Sequence, residues 1–585
     1  MTAGHGVRTS AFRQLLPGTG YRLQFWGTFY ARARKYSEYQ VTSHREHSLS
    51  DMPRFRRAAI AGLVIVPLFA GGFLIQEKSS RDGARLLDQV LSLVSDRFVD
   101  TLDASALYEK AARGLVKELS DPYSELLSPK QLQDFKRTTN GKYGGLGMLI
   151  EKLDAGVTVS KVFPHTPAEN AGIREGDRIV QIDTASTTGW GISQVSQTLL
   201  GDPGTKVQVK FARPGVPQPI QVKFTRAIIR IPAVFFSMML DSKTGYFPLL
   251  QFNETASTEF ADALRSLTKQ GAKSVIIDLR GNPGGILEQA IDMGDLLLDN
   301  GEQISSVRGR GPEQQQKFVA SGPAEFKNLQ LVVLTDGGTA SAAEIVAGAL
   351  QDHDRALIVG NTSFGKGLVQ TVYPLDGGWA LKMTTAKWFT PNGRSIQKER
   401  KLMPDGRFVE VHPDSIETDS ARKARPVFRS DAGRVVYGGG AITPDVIVRE
   451  DTLTTVEQKV SKAIGPKFPA VATVLQDYAL ELRPIVKPNF TVQPAWRDEL
   501  YKRIVATGVE LDRKDYDAAG QYFSRMLELR IARVAFGDSA QARRELPYDA
   551  PLRKALELTA HSQSQQDLFA ARTAAAAAVV PQKQR

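Results

Sequence analysis

Between residues 228 and 448 three short apolar runs recur, SVIIDL (274–279), LQLVVLTD (329–336) and RALIVG (355–360). Stretches with helical spacing separate them, the clearest at 254–268 and 341–350. Strands that alternate with helices in this way predict an α/β layer on a largely parallel sheet.

The rest of the chain is organised differently. Its 585 residues allow about three to five domains. Residues 83–139 carry helical spacing, with Asp121-Pro122 breaking the second helix. Residues 142–226 are short β-rich runs punctuated by glycine, with one helix expected over 192–200. Residues 401–440 are polar and loop-like, an expected insertion. Residues 451–569 look mostly helical, and 570–585 form a low-complexity tail that needs no fold. The expected fold class is α/β, in several domains. The segments are 1–57, 58–76, 77–140, 141–226, 227–450 and 451–585.

Composition removes whole classes of chemistry. The chain has 42% apolar and 24% charged residues, which excludes wholesale disorder and collagen-like repeats. It has no cysteine. A thiol nucleophile, a disulfide framework and thiolate-based zinc or iron–sulfur sites are therefore out.

The net charge is +12, but residues 1–57 hold ten Arg/Lys against three Asp/Glu and so carry +7 of it. Nineteen uncharged residues follow, AAIAGLVIVPLFAGGFLIQ at 58–76. As a helix at ~1.5 Å per residue they reach about 28 Å, enough for a hydrocarbon core. Basic residues before the run orient the N-terminus inside and the remainder across the membrane. The same pattern fits an export signal, with Met52-Pro-Arg-Phe-Arg-Arg57 as its basic region. No A-x-A site follows, so an uncleaved anchor is expected. The basicity thus reads as an orientation signal, and no nucleic-acid partner is expected.

The run at 329–350, LQLVVLTDGGTASAAEIVAGAL, could hold a nucleophile. A strand meets Asp336-Gly337-Gly338, then Ser341 stands where a helix begins. Unpaired N–H groups and the positive dipole end would stabilise an oxyanion there. Equally, Ser341-Ala-Ala-Glu344 fits a capping box that serves stability alone. His353 lies about 18 Å further along such a helix, too far to act as base. Lys366 is the other candidate, flanked by glycines and close to Phe364 and Leu368. Desolvation favours the neutral amine, and Ser–Lys dyads use one. The stretch 360–367 also approaches the phosphate-binding pattern G-x-x-x-x-G-K-[ST]. It lacks the hydroxyl at Gly367, and Leu368–Pro374 reads as a strand rather than a helix.

Seven motifs in order resemble the carboxy-terminal processing (tail-specific) proteases of the S41 serine peptidases. They are Leu119-Ser-Asp-Pro-Tyr-Ser124, Gly144-Gly-Leu-Gly147, Asp278-Leu-Arg-Gly-Asn-Pro-Gly-Gly285, Thr339-Ala-Ser-Ala-Ala-Glu344, Ser363-Phe-Gly-Lys-Gly367, the run from Trp388 to Gln397, and Gly439-Gly-Ala-Ile-Thr-Pro-Asp445. The resemblance covers about residues 84–450. It implies Ser341 as nucleophile, Lys366 as general base and Gln370 as the glutamine that orients it. It implies an oxyanion hole from the N–H of Ala342 and a glycine N–H of Gly284 or Gly285. From the residues alone, Asn282–Gly285 is equally a plain turn.

Residues 141–226 resemble a PDZ domain inserted before the α/β protease core. Gly145, Leu146, Gly147 and Met148 match its carboxylate-binding loop, and Pro167-Ala-Glu-Asn-Ala-Gly172 with Arg174-Glu-Gly-Asp177 matches the helix and turn that follow. The resemblance implies a serine endopeptidase without cofactor or metal, acting on proteins with accessible C-terminal tails from the extracytoplasmic or periplasmic side. An adaptor or a homo-oligomer is left open as a further partner, as is a binding module that keeps the groove without turnover.

Overall fold

The computed structural model describes residues 82–398, 400–403, 408–410 and 425–578. The expected membrane segment 58–76 lies outside them. Among the described residues no helix is long and apolar enough to cross a membrane.

The chain divides into two compact units, the smaller comprising its described residues up to Leu127 and Tyr373–Lys382. Residues 82–97 and Ala104–Glu118 are helical there. Asp103 caps the second helix by accepting the Ala106 N–H at 3.0 Å. The strand Glu125–Leu127 pairs antiparallel with residues 380–382.

In the larger unit, residues 148–225 build a six-stranded sheet with the strand Met148–Leu153 at one edge. Val159, Val195, Val209 and Phe211 fill its core. The helix Ile192–Leu199 packs beside the edge strand.

The α/β layer holds a second six-stranded sheet. Its order is Met238–Met239, Thr244–Pro248, Ser274–Asp278, Gln330–Thr335, Leu357–Gly360 and Val446–Ile447. All pairings after the first are parallel. Neighbouring residues of a strand point to opposite faces, so strands that are apolar at successive positions require cover on both. Val275, Ile277, Val333 and Ile358 face the helices Ala256–Lys269, Leu287–Leu297 and Ala342–Asp352. Ile276, Val332, Leu334 and Val359 face the other way, onto Leu552, Ala555, Leu558 and Leu568.

That second layer comes from the C-terminal extension, in the helices Ala550–Ala560 and Gln565–Ala578. Residues 570–578, expected to need no fold, continue the last of these helices. Upstream, helices between Thr455 and Phe536 enclose a core of their own around Phe523, Leu527 and Ile531. Polar contacts dock this bundle and the helix that follows it on the β-rich module: Arg178 donates to Asp477, Lys161 pairs with Asp538, and Thr473 accepts the Asp154 N–H at 3.1 Å.

The pairing of Arg400–Leu402 with Phe408–Glu410 opens at the start of the expected insertion at 401–440, and that of Val427–Arg429 with Val435–Tyr437 lies within it.

Candidate active site

Three neighbouring parallel strands, Ser274–Asp278, Gln330–Thr335 and Leu357–Gly360, end on the same side of the sheet. The loops after them carry the three sequence motifs with the nucleophile, base and glycine candidates. Open α/β sheets form their sites beyond the carboxyl ends of the strands.

Hydrogen bonds lock these loops together. The Ala340 N–H donates to the Asn282 carbonyl at 2.9 Å, and Thr339 Oγ1 donates to the Leu279 carbonyl at 2.8 Å. Asp336 Oδ1 accepts the N–H groups of Gly281 and Gly338 at 2.8 and 2.9 Å. Phe364 N–H donates to the Thr339 carbonyl at 2.8 Å. The approach is close enough that a Cβ on Gly338 would stand 2.8 Å from Gly281 Cα.

Ser341 is 6% exposed and precedes the helix Ala342–Asp352 with φ 53° and ψ −114°. A residue with a Cβ reaches such angles at a cost of about 1–3 kcal/mol. Glu344 fixes this turn from the first helical turn. Its carboxylate is fully buried, and Oε2 accepts the N–H of Ser341 at 2.8 Å and that of Lys366 at 2.9 Å. Oε1 accepts Ser363 Oγ–H at 2.5 Å and the Gly365 N–H at 2.7 Å. Burial raises the Glu344 pKa, and these four donors pull against it.

Lys366 is 2% exposed, and its carbonyl accepts the buried indole N–H of Trp388 at 2.9 Å. Gly367 leads into the strand Leu368–Pro374, so no helix N-terminus follows the lysine as phosphate binding would need. Gln370 lies on that strand, 1% exposed, with Nε2 donating to Thr384 Oγ1 at 3.3 Å. Its Oε1 finds no hydrogen-bond partner among the described residues.

The two glycines differ. Gly284 N–H donates to Asn282 Oδ1 at 2.7 Å. Among the described residues Gly285 N–H and Ala342 N–H make no hydrogen bond. Gly285 has φ 154°, and a Cβ there would fall 2.0 Å from the Phe252 carbonyl oxygen, so only glycine fits.

In the β-rich module, Gly145 ends the strand Lys142–Gly145, which pairs with Ala227–Arg230. Leu146 and Gly147 connect it to Met148 at the start of the edge strand. The Leu146 and Gly147 carbonyls accept Ala168 N–H and Phe163 N–H, each at 2.9 Å.

His353 ends the helix that Ser341 begins, where its ring nitrogens meet Asp431 Oδ2 and the Gln303 carbonyl, both at 2.7 Å. With Glu302 these side chains form a group with metal-ligating atoms. Sequence reasoning missed Glu344 as the tie between two loops, having read it as a helix cap. It also missed Arg280, whose side chain is 3% exposed and ion-paired with Asp278 and Asp549.

Family models match residues 243–408 to peptidase family S41 and residues 158–213 to the PDZ domain. The carboxy-terminal processing protease CtpA of Bacillus subtilis is 34% identical over 346 residues, which are 58% of this chain and 73% of that one. The carboxy-terminal-processing protease of Bartonella bacilliformis is 37% identical over 312 residues, 53% of this chain and 71% of its own. Among solved structures, the photosystem II D1 C-terminal processing protease is 30% identical with a TM-score of 0.33, covering 52% of this chain and 82% of that one. The chain belongs to the carboxy-terminal processing proteases of peptidase family S41, serine-type proteases that carry a PDZ domain.

Proposed function

We propose that Ser341 and Lys366 form the catalytic dyad. The observation that carries this reading is the single Glu344 oxygen that accepts both their backbone N–H groups. Two residues of unrelated loops are thereby held at one point beyond the sheet. Ser341 Oγ attacks the scissile carbonyl carbon as its proton passes to the neutral Lys366 amine. The ammonium so formed protonates the departing nitrogen as the C–N bond breaks, leaving an acyl-enzyme and a neutral amine. A water that gives its proton to Lys366 then attacks the acyl carbon, and the ammonium returns that proton to Ser341 Oγ as the acyl–Oγ bond breaks.

Ala342 N–H and Gly285 N–H are the donors for the oxyanion, since neither is committed elsewhere among the described residues. Gly284 supports them by holding Asn282. Gln370 Oε1, buried and without a hydrogen bond among the described residues, is the acceptor available to hold the lysine amine as it takes up the proton.

The PDZ domain recognises the substrate's C-terminal tail. The tail adds a strand to the edge at Met148–Leu153, with its carboxylate on the loop of Gly145, Leu146 and Gly147. Residues 58–76 set the protease on the far side of the membrane.

The test is digestion of fluorescein-labelled casein by the full chain, Ser341→Ala and Lys366→Ala. Both variants are expected to lose cleavage while folding normally. Cleavage retained by either one would remove that residue from the dyad.

A further inference from the structure

One side chain of the C-terminal extension reaches the root of the loop that bears Gly284 and Gly285. Arg280 spreads its guanidinium between two carboxylates. Nε and Nη2 donate to Asp278 Oδ1 and Oδ2 at 2.9 and 2.7 Å. Nη1 and Nη2 donate to Asp549 Oδ1 and Oδ2 at 2.8 and 2.7 Å. Asp278 closes the strand Ser274–Asp278 and also accepts the Tyr246 hydroxyl at 2.9 Å. Asp549 stands 269 positions after Arg280 and caps the helix Ala550–Ala560, accepting the Leu552 N–H at 3.0 Å.

Charge balance alone does not require the second carboxylate. Asp278 already neutralises Arg280, and bringing another anion into a buried site costs desolvation. What Asp549 adds is geometry, because a planar fork gripped along two edges has one orientation. From Arg280 the main chain runs straight to Gly281, bonded to Asp336, and to Asn282, bonded to Ala340 beside the nucleophile.

We propose that Asp549 is a positioning residue of the active site. By gripping Arg280 it fixes the root of the 281–285 loop, and with it the Gly285 N–H that meets the oxyanion. The inference rests on the Ser341 reading. It assigns part of the C-terminal extension a role in turnover as well as in covering the sheet. The S41 motifs do not contain this residue.

The experiment compares the full chain with Asp549→Asn, which keeps the helix cap and the shape, and with Asp549→Glu, which keeps the charge. Each is measured for kcat and KM on labelled casein, thermal midpoint, and affinity for a peptidyl boronic acid, whose serine adduct mimics the tetrahedral intermediate. A positioning role predicts that Asp549→Asn lowers kcat about tenfold or more and weakens the boronate by a similar factor. KM and the thermal midpoint stay near wild type, and Asp549→Glu recovers part of kcat. Unchanged kcat and boronate affinity in Asp549→Asn would overturn the inference, as would a loss that follows the thermal midpoint in both variants. Ser341→Ala run alongside separates the two ideas: if it still cleaves, the dyad reading fails whatever Asp549 does.

Discussion

The Lys366 N–H donates to Glu344 Oε2 at 2.9 Å, on the oxygen that also takes the Ser341 N–H. A residue from the first turn of the helix that Ser341 begins therefore sets the main chain of the lysine loop. All four acceptor positions that Glu344 presents are used by donors, two of them from residues 363–365. An ionised carboxylate satisfies this pattern fully, because it only accepts.

Glu344→Gln tests that dependence. Either amide orientation turns an N–H₂ group towards at least one backbone N–H, leaving buried donors facing each other. Each unsatisfied buried donor costs about 1–3 kcal/mol. The variant is expected to lose about 2–4 kcal/mol in urea unfolding and nearly all casein cleavage. Wild-type stability with wild-type cleavage would show that the carboxylate ties nothing essential.

Gln370 should behave in the opposite way. Its Oε1 is buried without a hydrogen bond among the described residues, which penalises the fold. Gln370→Met keeps the volume and removes that acceptor. Thermal unfolding is expected at the wild-type midpoint or above, while kcat falls about tenfold or more if the amide orients the base. A drop in midpoint together with unchanged kcat would make Gln370 a packing residue.

The parallel sheet was legible because its strands are apolar at successive positions, and the strand–turn–helix around Ser341 because small residues lie between Gly337 and Ala343. Local pattern cannot show partners far apart in sequence. Glu344 looked like a helix cap, which it is, but its bonds to Ser363, Gly365 and Lys366 arise only when two strand ends lie side by side. Asp549 was hidden for the same reason, 269 positions from Arg280. The helix over 570–578 was misread because an alanine-rich run signals low complexity. Alanine is also the strongest helix former, and Leu568 in the preceding turn is buried against the sheet.

His353 gives a pH signature away from the carboxylates. Burial lowers its pKa, but Asp431 and the Gln303 carbonyl, with Glu302 nearby, more than offset this and hold it above the usual value. A folded pKa above the unfolded one means the contact stabilises fully below about pH 6.5 and fades as pH rises through the folded value. Urea midpoints should therefore fall between about pH 6 and pH 8, and His353→Gln should flatten that slope. An identical slope in the variant would assign the change to other groups.

Leu558 separates support of the sheet from support of the loop. It is 4% exposed, on the helix that Asp549 caps, and packs with Ile276, Val332 and Leu334 on the second sheet face. Truncating a buried leucine costs about 2–5 kcal/mol, depending on how far the surroundings collapse. Leu558→Ala is expected to lower the urea midpoint clearly while kcat, measured well below the unfolding temperature, stays near wild type. Asp549→Asn, nine positions earlier, should show the reverse. If Leu558→Ala also lost kcat at a temperature where circular dichroism shows it fully folded, the whole helix, rather than its first carboxylate, would be what supports the loop.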